Sequence, residues 1–302
     1  MNNIACIIVT YNPESSAIDS IKKIMEENAY IIIVDNGSKD TDTLRKVQKI
    51  INENHMDFFQ YNENKGLACA QNKGIEIAIS KNLDYVTFFD QDTIIPNNFF
   101  TDMYEGYLLY EETYNEKLGI LAPNYLDRNT EEFARFAKLT KWKYEHRSCT
   151  EDTFTDVSFV ISSGSFMRID TIKDIGLFID DFFIDQVDTE YSLRMLSRGY
   201  KIAVYKKVLL NHTIGNRSKE NFFGLTIKPN HHNEERKFYI LRNGVKCMVW
   251  YGWNYKGFIV LMTARFIHDI IGTIFYENKK MLKIKSMMLG TFMGFKKINN
   301  WN

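Results

Sequence analysis

Cysteine is scarce in this sequence of 302 residues. The four cysteines, Cys6, Cys69, Cys149 and Cys247, lie far apart, and no C-x-x-C or Cys/His metal-binding spacing occurs. A small disulfide-stabilised scaffold and a cysteine-ligated zinc site are therefore excluded, and reduced thiols in a cytosolic protein fit the sequence best. The chain also lacks a net charge, with 38 basic and 38 acidic side chains, which excludes a uniformly basic nucleic-acid-binding protein.

Two further absences concern targeting and cofactor binding. No basic segment precedes the first apolar run at residues 4–9, so a secretory signal is not expected. No G-x-G-x-x-G follows that run, which argues against a dinucleotide-dependent dehydrogenase. The longest apolar stretch, residues 258–275, contains three ionisable side chains, and we do not expect it to span a membrane.

The first third of the chain alternates short apolar runs with amphipathic segments. The runs predict buried strands at residues 4–10, 30–34, 56–61 and 85–89, and the segments between them predict helices at residues 15–28, 43–54 and 66–81. This alternation favours an α/β fold with a mostly parallel sheet flanked by helices. Ligands of such sheets bind beyond the carboxyl ends of the strands.

A D-x-D cluster, Asp90-Gln91-Asp92, follows the predicted strand at residues 85–89. Two carboxylates at this spacing can approach one hard divalent cation such as Mg²⁺, together with the phosphates of a nucleotide. A solvated turn would have the same composition. The position directly after an apolar strand favours the metal and nucleotide site.

Three other polar positions follow the second and third predicted strands. Asp35 could accept the imide N–H of a pyrimidine base or cap the next helix. Gly66 permits close backbone approach, and Asn72 could bind a phosphate or a ribose. Taken singly, each is also an ordinary turn or helix residue.

Together these blocks resemble family 2 of the glycosyltransferases, which has the GT-A fold. The blocks occur in the family's order and spacing, and the resemblance covers about residues 4–215. In amino-acid sequence the blocks are most similar to those of the bacterial rhamnosyltransferases. The blocks are Ile8-Val9-Thr10-Tyr11-Asn12, Val34-Asp35-Asn36-Gly37-Ser38, Asn64-Lys65-Gly66, Asn72-Lys73-Gly74 and Phe89-Asp90-Gln91-Asp92-Thr93. The expected domains are a GT-A catalytic domain at residues 1–230, with a nucleotide-sugar half at about 1–95 and an acceptor half at about 96–230, and a helical appendage at 231–302.

The resemblance implies roles for individual residues. Nucleotide-sugar binding is implied for Thr10, Tyr11, Asn12, Asp35, Asn36, Gly66, Asn72, Asp90, Gln91 and Asp92. Binding of Mg²⁺ or Mn²⁺ is implied for Asp92, His212 and Asp90. Acceptor binding is implied for Ser163, Gly164 and Ser165, which resemble the family's Gly-Gly-x-Phe loop with Ser163 in place of a glycine.

Residues 183–194 resemble the acidic motif that precedes a helix in this family. The resemblance implies that Asp188 removes the proton of the acceptor hydroxyl. Val187 stands where the family usually has its first acid, which leaves Asp185 and Glu190 open as alternatives. An Asp before a predicted helix at 189–198 is also a favourable N-cap, and the same residue can serve both purposes.

The charge is distributed unevenly along the chain. Residues 237–302 hold 11 basic side chains, two acidic side chains and 13 aromatic ones, whereas residues 1–236 hold 27 basic and 36 acidic side chains. The stretch 258–275 predicts an amphipathic helix with a broad apolar face. Basic and aromatic residues in this mixture suit an anionic membrane surface. Packing on the catalytic domain and a dimer interface remain alternatives.

The function that the resemblance implies is an inverting, metal-dependent glycosyltransferase. The expected donor is dTDP-L-rhamnose, and the expected acceptor is a glycan or lipid-linked glycan of a bacterial surface polysaccharide. The expected place is the cytoplasm or the inner face of the cell membrane. A UDP-hexose transferase, a nucleotidyltransferase and a non-catalytic nucleotide-sugar-binding module remain alternatives, although residues 11–14 contain neither the Gly nor the Lys of a nucleotidyltransferase phosphate loop.

Overall fold

The structure is a computed structural model that describes residues 3–127, 132–212, 220–222 and 224–296. Its strands are β1 (Ile4–Thr10), β2 (Tyr30–Asp35), β3 (Asp57–Gln60), β4 (Tyr85–Asp90), β5 (Leu118–Asp127), β6 (Arg135–Leu139), β7 (Tyr144–Ser148), β8 (Phe154–Val157), β9 (Phe166–Arg168), β10 (Lys201–His212), β11 (Glu220–Phe222) and β12 (Leu225–Ile227). Its helices are α1 (Ser16–Met25), α2 (Asp42–Glu53), α3 (Leu67–Ser80), α4 (Phe99–Tyr114), α5 (Ile169–Ile175), α6 (Val187–Ser197), α7 (Glu234–Tyr251), α8 (Lys256–Tyr276) and α9 (Lys280–Gly294).

Eight strands form one sheet in the order β3-β2-β1-β4-β9-β5-β10-β8. The pairs β2–β3, β1–β2, β1–β4 and β5–β10 are parallel, whereas β9 is antiparallel to β4 and β5, and β8 is antiparallel to β10. The predicted mostly parallel α/β architecture is confirmed. The four predicted strands and three predicted helices of the first third all form, with ends that differ by up to three residues.

The central strands are buried on both faces of the sheet. Residues 4–8 of β1 and residues 31–34 of β2 are at most 1% exposed. Side chains of a strand alternate between the two faces, so burial of consecutive residues requires cover on both sides. This cover explains why these strands are continuous apolar runs.

Aromatic packing holds β4 in place. The ring of Phe88 contacts Phe178 at a centroid distance of 5.6 Å, and the ring of Phe89 contacts Phe99 at 5.1 Å. Edge-to-face pairs of this kind stabilise a core beyond their buried area. The carboxyl end of β4, which carries Asp90, is thereby anchored by rings on opposite faces of the sheet.

Two compact units divide the chain. The first comprises Met1–Phe136, Arg147–Phe183 and Val187–His212, and contains the eight-stranded sheet. The second comprises Ala137–His146, Ile184–Gln186 and Thr213–Asn302. The domain boundary expected at residue 230 stays a prediction, since compactness groups two short earlier segments with the C-terminal residues.

A buried charge network connects the helices of the second unit. Lys237 of α7 is fully buried, and its ammonium group donates to Asp269 of α8 at 2.6 Å and to Glu277 at 2.9 Å. Lys283 of α9 donates to the other oxygen of Glu277 at 2.7 Å. Buried charges require such pairing, because desolvation of a lone charge costs several kcal/mol. The network therefore fixes three helices to one another.

The network predicts that the second unit loses stability in acid. Burial alone would raise the pKa of Glu277, but hydrogen bonds from Lys283 and Lys237, and their positive charges, hold that pKa below its ordinary value of 4.5. In the unfolded chain Glu277 titrates at the ordinary value. The ionised Glu277 therefore adds its full stabilisation to the folded state above about pH 4.5. This stabilisation is lost as the pH falls through the pKa of Glu277 in the folded protein, which lies below 4.5.

Urea unfolding followed by tryptophan fluorescence tests this pH dependence. All four tryptophans belong to the second unit, so the signal reports that unit. We expect the urea midpoint to fall from pH 6 to pH 3, and to fall less in the variant Glu277→Gln. An equal fall of the urea midpoint between pH 6 and pH 3 in the unchanged protein and in Glu277→Gln would contradict the prediction.

One helix among the described residues, α8, is long and apolar enough to cross a membrane when judged by length and composition alone. It has 21 residues, and one third of its most apolar window is buried in the structure. The expectation that this stretch does not span a membrane stays a prediction.

Candidate functional site

The carboxyl ends of three neighbouring parallel strands lie at one edge of the sheet. Thr10 at the end of β1 is level with Asp35 at the end of β2, and Val9 of β1 is level with Asp90 at the end of β4. The predicted site residues Thr10, Asp35 and Asp90 therefore meet at the edge where ligands of open α/β sheets bind.

Asp35 lies fully buried at the base of this edge. Its Oδ1 accepts hydrogen bonds from the hydroxyls of Thr10 at 2.9 Å and Ser38 at 2.5 Å, and its Oδ2 accepts from the Ser38 backbone N–H at 2.9 Å. A carboxylate has about four lone-pair positions. Asp35 thus ties the end of β1 to the turn after β2 and keeps one acceptor position on Oδ2.

The loop after β1 is fixed on both sides. The backbone N–H of Asn12 donates to the Ser38 hydroxyl at 2.6 Å, and the Asn12 side chain accepts from the Lys39 backbone at 3.0 Å. The backbone N–H of Tyr11 donates to the side-chain oxygen of Gln91 at 2.9 Å. These bonds hold Tyr11 beside the D-x-D turn, with its side chain 48% exposed.

A chain of amide hydrogen bonds joins the loops after β2 and β3. The Asn36 side chain donates to Asn64 at 2.9 Å and accepts from the Lys65 backbone at 2.9 Å, and the Asn64 side chain also accepts from the Gly66 backbone. Satisfied side-chain amides of this kind rigidify a polar segment. The Asn64-Lys65-Gly66 block is therefore held in one conformation before α3 begins.

Gly66 has no room for a side chain. Its φ is +90°, and a Cβ there would lie 2.6 to 2.7 Å from the ring, the Cα and the carbonyl oxygen of Phe183. The Leu67 backbone N–H donates to the Phe183 carbonyl, so the chain segments touch directly. Only glycine permits both the backbone conformation and the close approach.

We expect Gly66→Ala to lower the free energy of unfolding by about 3 kcal/mol, through backbone strain and the clash with Phe183. Gly199→Ala is the matched control, because Gly199 has a φ of +83° and nothing within 4 Å of the added Cβ. It should cost only about 1 kcal/mol, from the backbone alone. Thermal unfolding followed by circular dichroism measures both, and equal losses would refute the role of the Phe183 contact.

Asn72 holds a loop of the first unit to α3. Its side-chain nitrogen donates to the Phe178 carbonyl at 2.9 Å and to the carboxylate of Asp180 at 2.7 Å, and its side-chain oxygen accepts from the Phe178 backbone at 2.9 Å. The structure thus gives Asn72 a positioning role. Phosphate or ribose binding by Asn72 stays a prediction.

The D-x-D residues form a turn that is anchored below and exposed above. Asp90 and Asp92 are both exposed, whereas Thr93 is buried. The Thr93 backbone N–H donates to the Asp90 carbonyl at 3.1 Å, and the Thr93 hydroxyl lies 3.3 Å from the Ser163 hydroxyl. Exposed carboxylate oxygens are the hard donors that Mg²⁺ and Mn²⁺ prefer, so the turn fits such a cation and a diphosphate.

Tyr125 of β5, which the sequence motifs did not identify, connects the D-x-D turn to the acidic motif. Its hydroxyl donates to the Ser163 carbonyl at 2.7 Å. Burial raises the pKa of Tyr125 well above its ordinary value, and the negative charges of Asp188 and Asp90 raise it further. The charges of both carboxylates therefore act on this buried phenol.

The segment Ser163-Gly164-Ser165 is built into the sheet. The Gly164 backbone N–H donates to the Phe88 carbonyl at 2.7 Å, and the Ser165 hydroxyl donates to the Ile161 carbonyl at 2.6 Å. Both serine side chains are buried. The segment supports the D-x-D turn through Ser163, and its contact with an acceptor stays a prediction.

The three carboxylates left open by the acidic motif differ sharply in their surroundings. Glu190 is buried and forms a two-point pair with Arg194, at 3.1 and 2.7 Å. Asp185 forms a two-point pair with Arg236, at 2.9 and 3.1 Å. Asp188 is half-buried, and its Oδ1 accepts the Thr189 backbone N–H at 2.8 Å. Two-point guanidinium pairs commit both oxygens of a carboxylate, which favours Asp188 as the base.

The backbone before Asp188 has an unusual conformation. Phe183, Asp185 and Gln186 have φ values of +56°, +63° and +59°. A non-glycine residue in this region costs on the order of 1–3 kcal/mol, and such residues cluster at functional sites. The carbonyls of residues 184 and 185 accept hydrogen bonds from the Asn243 side chain, both at 2.9 Å.

Asp188 lies in the first turn of α6, because that helix begins at Val187 rather than at residue 189. The N-cap interpretation of Asp188 is therefore wrong. Val187 is buried and extends the helix by packing inward. Its apolar side chain serves the fold at the position where the family usually has an acid.

The predicted metal ligand His212 ends β10, but its side chain lies outside the described residues. Within the described part of the chain, no group of three or more His, Cys, Asp or Glu side chains is arranged to hold a metal ion. The described part of the predicted set is Asp90 and Asp92.

The family model for "Glycosyl transferase family 2" matches residues 5–176 of the chain. This range contains β1 to β9, all of the loops at the sheet edge described above, and the D-x-D turn. It ends before the acidic motif of α6.

The chain is also similar to one relative of known function and to two solved structures of glycosyltransferase fold. The chain is 31% identical over 247 residues to the dTDP-rhamnosyl transferase RfbF of Shigella flexneri, covering 80% of this chain and 78% of the relative. The crystal structure of S. aureus TarS residues 1–349 in complex with UDP-GlcNAc superposes with a TM-score of 0.60 at 14% identity, covering 95% and 79%. GalNAc-T7 with UDP, GalNAc and Mn²⁺ has a TM-score of 0.59 at 15% identity, covering 82% of this chain and about half, 47%, of that one.

Proposed function

Because the chain belongs to glycosyl transferase family 2, we propose that it is an inverting, metal-dependent transferase that moves L-rhamnose from dTDP-L-rhamnose to an oligosaccharide or lipid-linked acceptor of a bacterial surface polysaccharide. The fold is the α/β fold of the GT-A glycosyltransferases. The choice of rhamnose is supported by the 31% identity to a protein named as a dTDP-rhamnosyl transferase.

The observation that carries the proposal is the position of Tyr125. Its hydroxyl donates to the carbonyl of Ser163, whose own hydroxyl lies 3.3 Å from that of Thr93 in the D-x-D turn. Burial, and then the charges of Asp188 on α6 and Asp90 on β4, raise the pKa of Tyr125. A transferase needs a carboxylate near the departing diphosphate and another near the attacking hydroxyl. The surroundings of Tyr125 support that pairing.

In the proposed reaction, Asp188 accepts the proton of the acceptor hydroxyl while the hydroxyl oxygen bonds to the anomeric carbon. The bond from that carbon to the diphosphate oxygen breaks, and its electron pair leaves with the nucleoside diphosphate. Attack opposite the leaving group inverts the anomeric configuration. Proton removal by a positioned carboxylate contributes about 10²–10⁴-fold to the rate.

Asp90, Asp92 and His212 would hold Mg²⁺ or Mn²⁺. When bound, the cation stabilises the negative charge on the leaving diphosphate. The exposed carboxylates of the D-x-D turn suit this cation, and Thr93 and Ser163 hold the turn from below. Manganese in the GalNAc-T7 structure supports the assignment.

The nucleoside would occupy the edge formed by β1 and β2. Asp35, which Thr10 and Ser38 hold at the end of β2, is the proposed partner of the imide N–H of the base, and the exposed Tyr11 ring suits stacking on that base. The other proposed nucleotide-sugar contacts are Thr10, Asn12, Asn36, Gly66, Asn72 and Gln91. Ser163, Gly164 and Ser165 are the proposed acceptor contacts, and the proposed place of the reaction is the cytoplasmic side of the cell membrane.

Thermal stabilisation by a panel of nucleotide sugars with Mn²⁺ tests the donor. A ligand at a hundred times its dissociation constant stabilises the folded protein by about 2.7 kcal/mol. We expect dTDP-rhamnose to raise the unfolding temperature most, because the proposed donor should bind most tightly. The same panel with a chelator is the control and should show smaller shifts. A larger shift with a UDP-hexose would replace rhamnose in the proposal.

The product distinguishes the proposed reaction from its rivals. Release of dTDP supports glycosyl transfer, whereas release of pyrophosphate would indicate a nucleotidyltransferase. Binding of the donor with no turnover of any kind would indicate a non-catalytic module.

A further inference from the structure

The segment from residue 237 to residue 296 buries both of its acidic side chains. Asp269 and Glu277 are the two acidic residues after position 236, and they are 6% and 1% exposed. Both are paired with buried lysines, Lys237 and Lys283. From residue 237 to residue 296, the structure therefore exposes no acidic side chain.

The exposed charges of the same segment are all positive. Arg265 lies on α8, and Lys279, Lys280, Lys285 and Lys296 lie at or near α9, with all five side chains exposed. Their spacing along two consecutive helices gives a surface of one sign. Such a surface attracts an anionic partner and repels another copy of itself.

The C-terminal half of helix α8 has polar residues inside and apolar residues outside. Asp269 and Thr273 are buried, whereas Ile267 is 53% exposed and Ile274 is 42% exposed. A surface helix of a water-soluble protein normally turns its apolar side toward the core. The core of this unit therefore accounts for Phe258, Leu261 and Met262, which are buried, but not for the exposed isoleucines of the C-terminal half of α8.

Helix α9 shows the same reversal. Lys283 is buried with Glu277, whereas Met288 and Phe292 are 69% and 65% exposed. We define the outward apolar set as Ile267, Ile270 and Ile274 of α8 with Met288, Leu289 and Phe292 of α9, all exposed. Apolar residues clustered on a protein surface mark an interaction site.

Two glycines on α9 allow the C-terminal half of its inner side to pack closely against α7. A Cβ at Gly290 would lie 2.4 Å from the carbonyl oxygen of Phe238, and one at Gly294 would lie 2.6 Å from the Cβ of Val245. The two glycines are four residues apart, the spacing of close helix pairs in membranes. The backbones of α7 and α9 meet there, and the neighbouring Met288, Leu289 and Phe292 lie on the exposed side of α9.

We propose that α8 and α9 dock on an anionic phospholipid surface. The outward apolar set enters the boundary between headgroups and acyl chains, and the exposed lysines bind lipid phosphates. The charge favours this occupant over a symmetric dimer, because a second copy docked through the same surface would bring lysines against lysines. The surface lies parallel to the bilayer rather than across it, since a crossing α8 would break the buried pair of Asp269 with Lys237.

Two exposed tryptophans, from the β6–β7 turn and from the residues before α8, lie beside Lys256, the first residue of α8. Trp142 and Trp253 are 64% and 83% exposed, and the Lys256 ammonium lies 3.8 Å from the ring centre of Trp142. Tryptophan is enriched at membrane interfaces, where its ring meets both apolar chains and headgroups. The docking proposal does not depend on the donor sugar or on the catalytic residues.

Flotation of the whole protein with vesicles tests the proposal. We expect binding to phosphatidylglycerol vesicles, with a partition coefficient about tenfold or more above that for phosphatidylcholine vesicles, and release by high salt. The triple variant Lys279→Gln, Lys280→Gln, Lys285→Gln should bind phosphatidylglycerol at least about tenfold more weakly. The triple variant Ile267→Ser, Met288→Ser, Phe292→Ser should lose about a hundredfold.

The double variant Leu108→Ser, Leu109→Ser is the matched control, because both leucines are exposed apolar residues of α4 in the first unit. It should bind vesicles as the unchanged protein does. Circular dichroism checks that every variant is folded. Equal binding to both lipids, absence of binding to phosphatidylglycerol, or resistance to release by salt would overturn the proposal. A dimer that Phe292→Ser dissociates, without vesicle binding, would assign the surface to a second copy instead.

Discussion

Replacement of Asp188 by Asn is expected to lower the rate of sugar transfer by about 10²–10⁴-fold and to leave donor binding within about twofold. The amide has nearly the shape of the carboxylate but cannot accept the acceptor's proton at neutral pH. Asp188 keeps its place through α6, whose start is fixed by the buried Val187. The rate is measured as dTDP released from dTDP-rhamnose, and binding is measured as thermal stabilisation by the same donor.

Two matched variants in the same motif distinguish loss of the catalytic base from loss of a structural ion pair. Asp185→Asn and Glu190→Gln change neighbouring carboxylates that are paired with Arg236 and Arg194. Glu190→Gln should reduce stability, because it weakens a buried two-point pair, and its folded fraction should retain transfer. If Asp188→Asn transfers at the unchanged rate while Asp185→Asn does not, the base is Asp185.

Replacement of Lys237 by Met is expected to destabilise the second unit by about 3–5 kcal/mol. The ammonium group is fully buried between Asp269 and Glu277, so the change leaves two buried carboxylates with fewer partners. Methionine has a similar length and fills the space, which separates the loss of charge from the loss of volume. Urea unfolding followed by tryptophan fluorescence gives the free energy of this unit.

Lys285→Met is the control for Lys237→Met, because Lys285 is exposed on α9. It should change the free energy of unfolding by less than about 0.5 kcal/mol. The double variant Lys237→Met, Asp269→Asn should recover part of the loss, since it removes the charge of the carboxylate that has lost its lysine, whereas Glu277 keeps Lys283. A loss from Lys237→Met no larger than that from Lys285→Met would show that the network does not hold the helices.

The apolar strands and amphipathic helices of the first third could be predicted because each carries its own periodicity. The run Tyr85–Asp90 has five buried residues followed by an exposed carboxylate, and the sequence shows this directly. Strand β9 has only three residues, and it lies antiparallel between β4 and β5. Such a short strand leaves no pattern, so the mixed centre of the sheet was not predictable.

The candidate site was predictable where motifs mark strand ends and not where packing brings distant residues together. Asp35 and Asp90 follow apolar runs, and the sheet places them at one edge. Tyr125 lies in a strand with no motif, and its role follows from burial near two carboxylates. The assignment of Asp188 among three acids needed the arginine pairs of the other two, which no local pattern reveals.

The basic, aromatic tail was visible in the sequence, but its orientation was not. Amphipathic spacing predicts that α8 has two faces without showing which one turns inward. The inward face of α8 is set by the buried Lys237, because its ammonium group donates hydrogen bonds to Asp269 and Glu277 and keeps them in the interior. The partners are 32 and 40 residues away from Lys237, beyond the reach of helical periodicity.

Product analysis of a single reaction tests the proposed transfer of rhamnose from dTDP-rhamnose most directly. The protein is incubated with dTDP-rhamnose, Mn²⁺ and a lipid extract of bacterial membranes, and the nucleotide products are separated. We expect dTDP as the released nucleotide and rhamnose in the lipid or glycan fraction. A chelator or Asp188→Asn should abolish both the release of dTDP and the transfer of rhamnose. Release of pyrophosphate, or dTDP release that Asp188→Asn leaves unchanged, would contradict the proposed transfer.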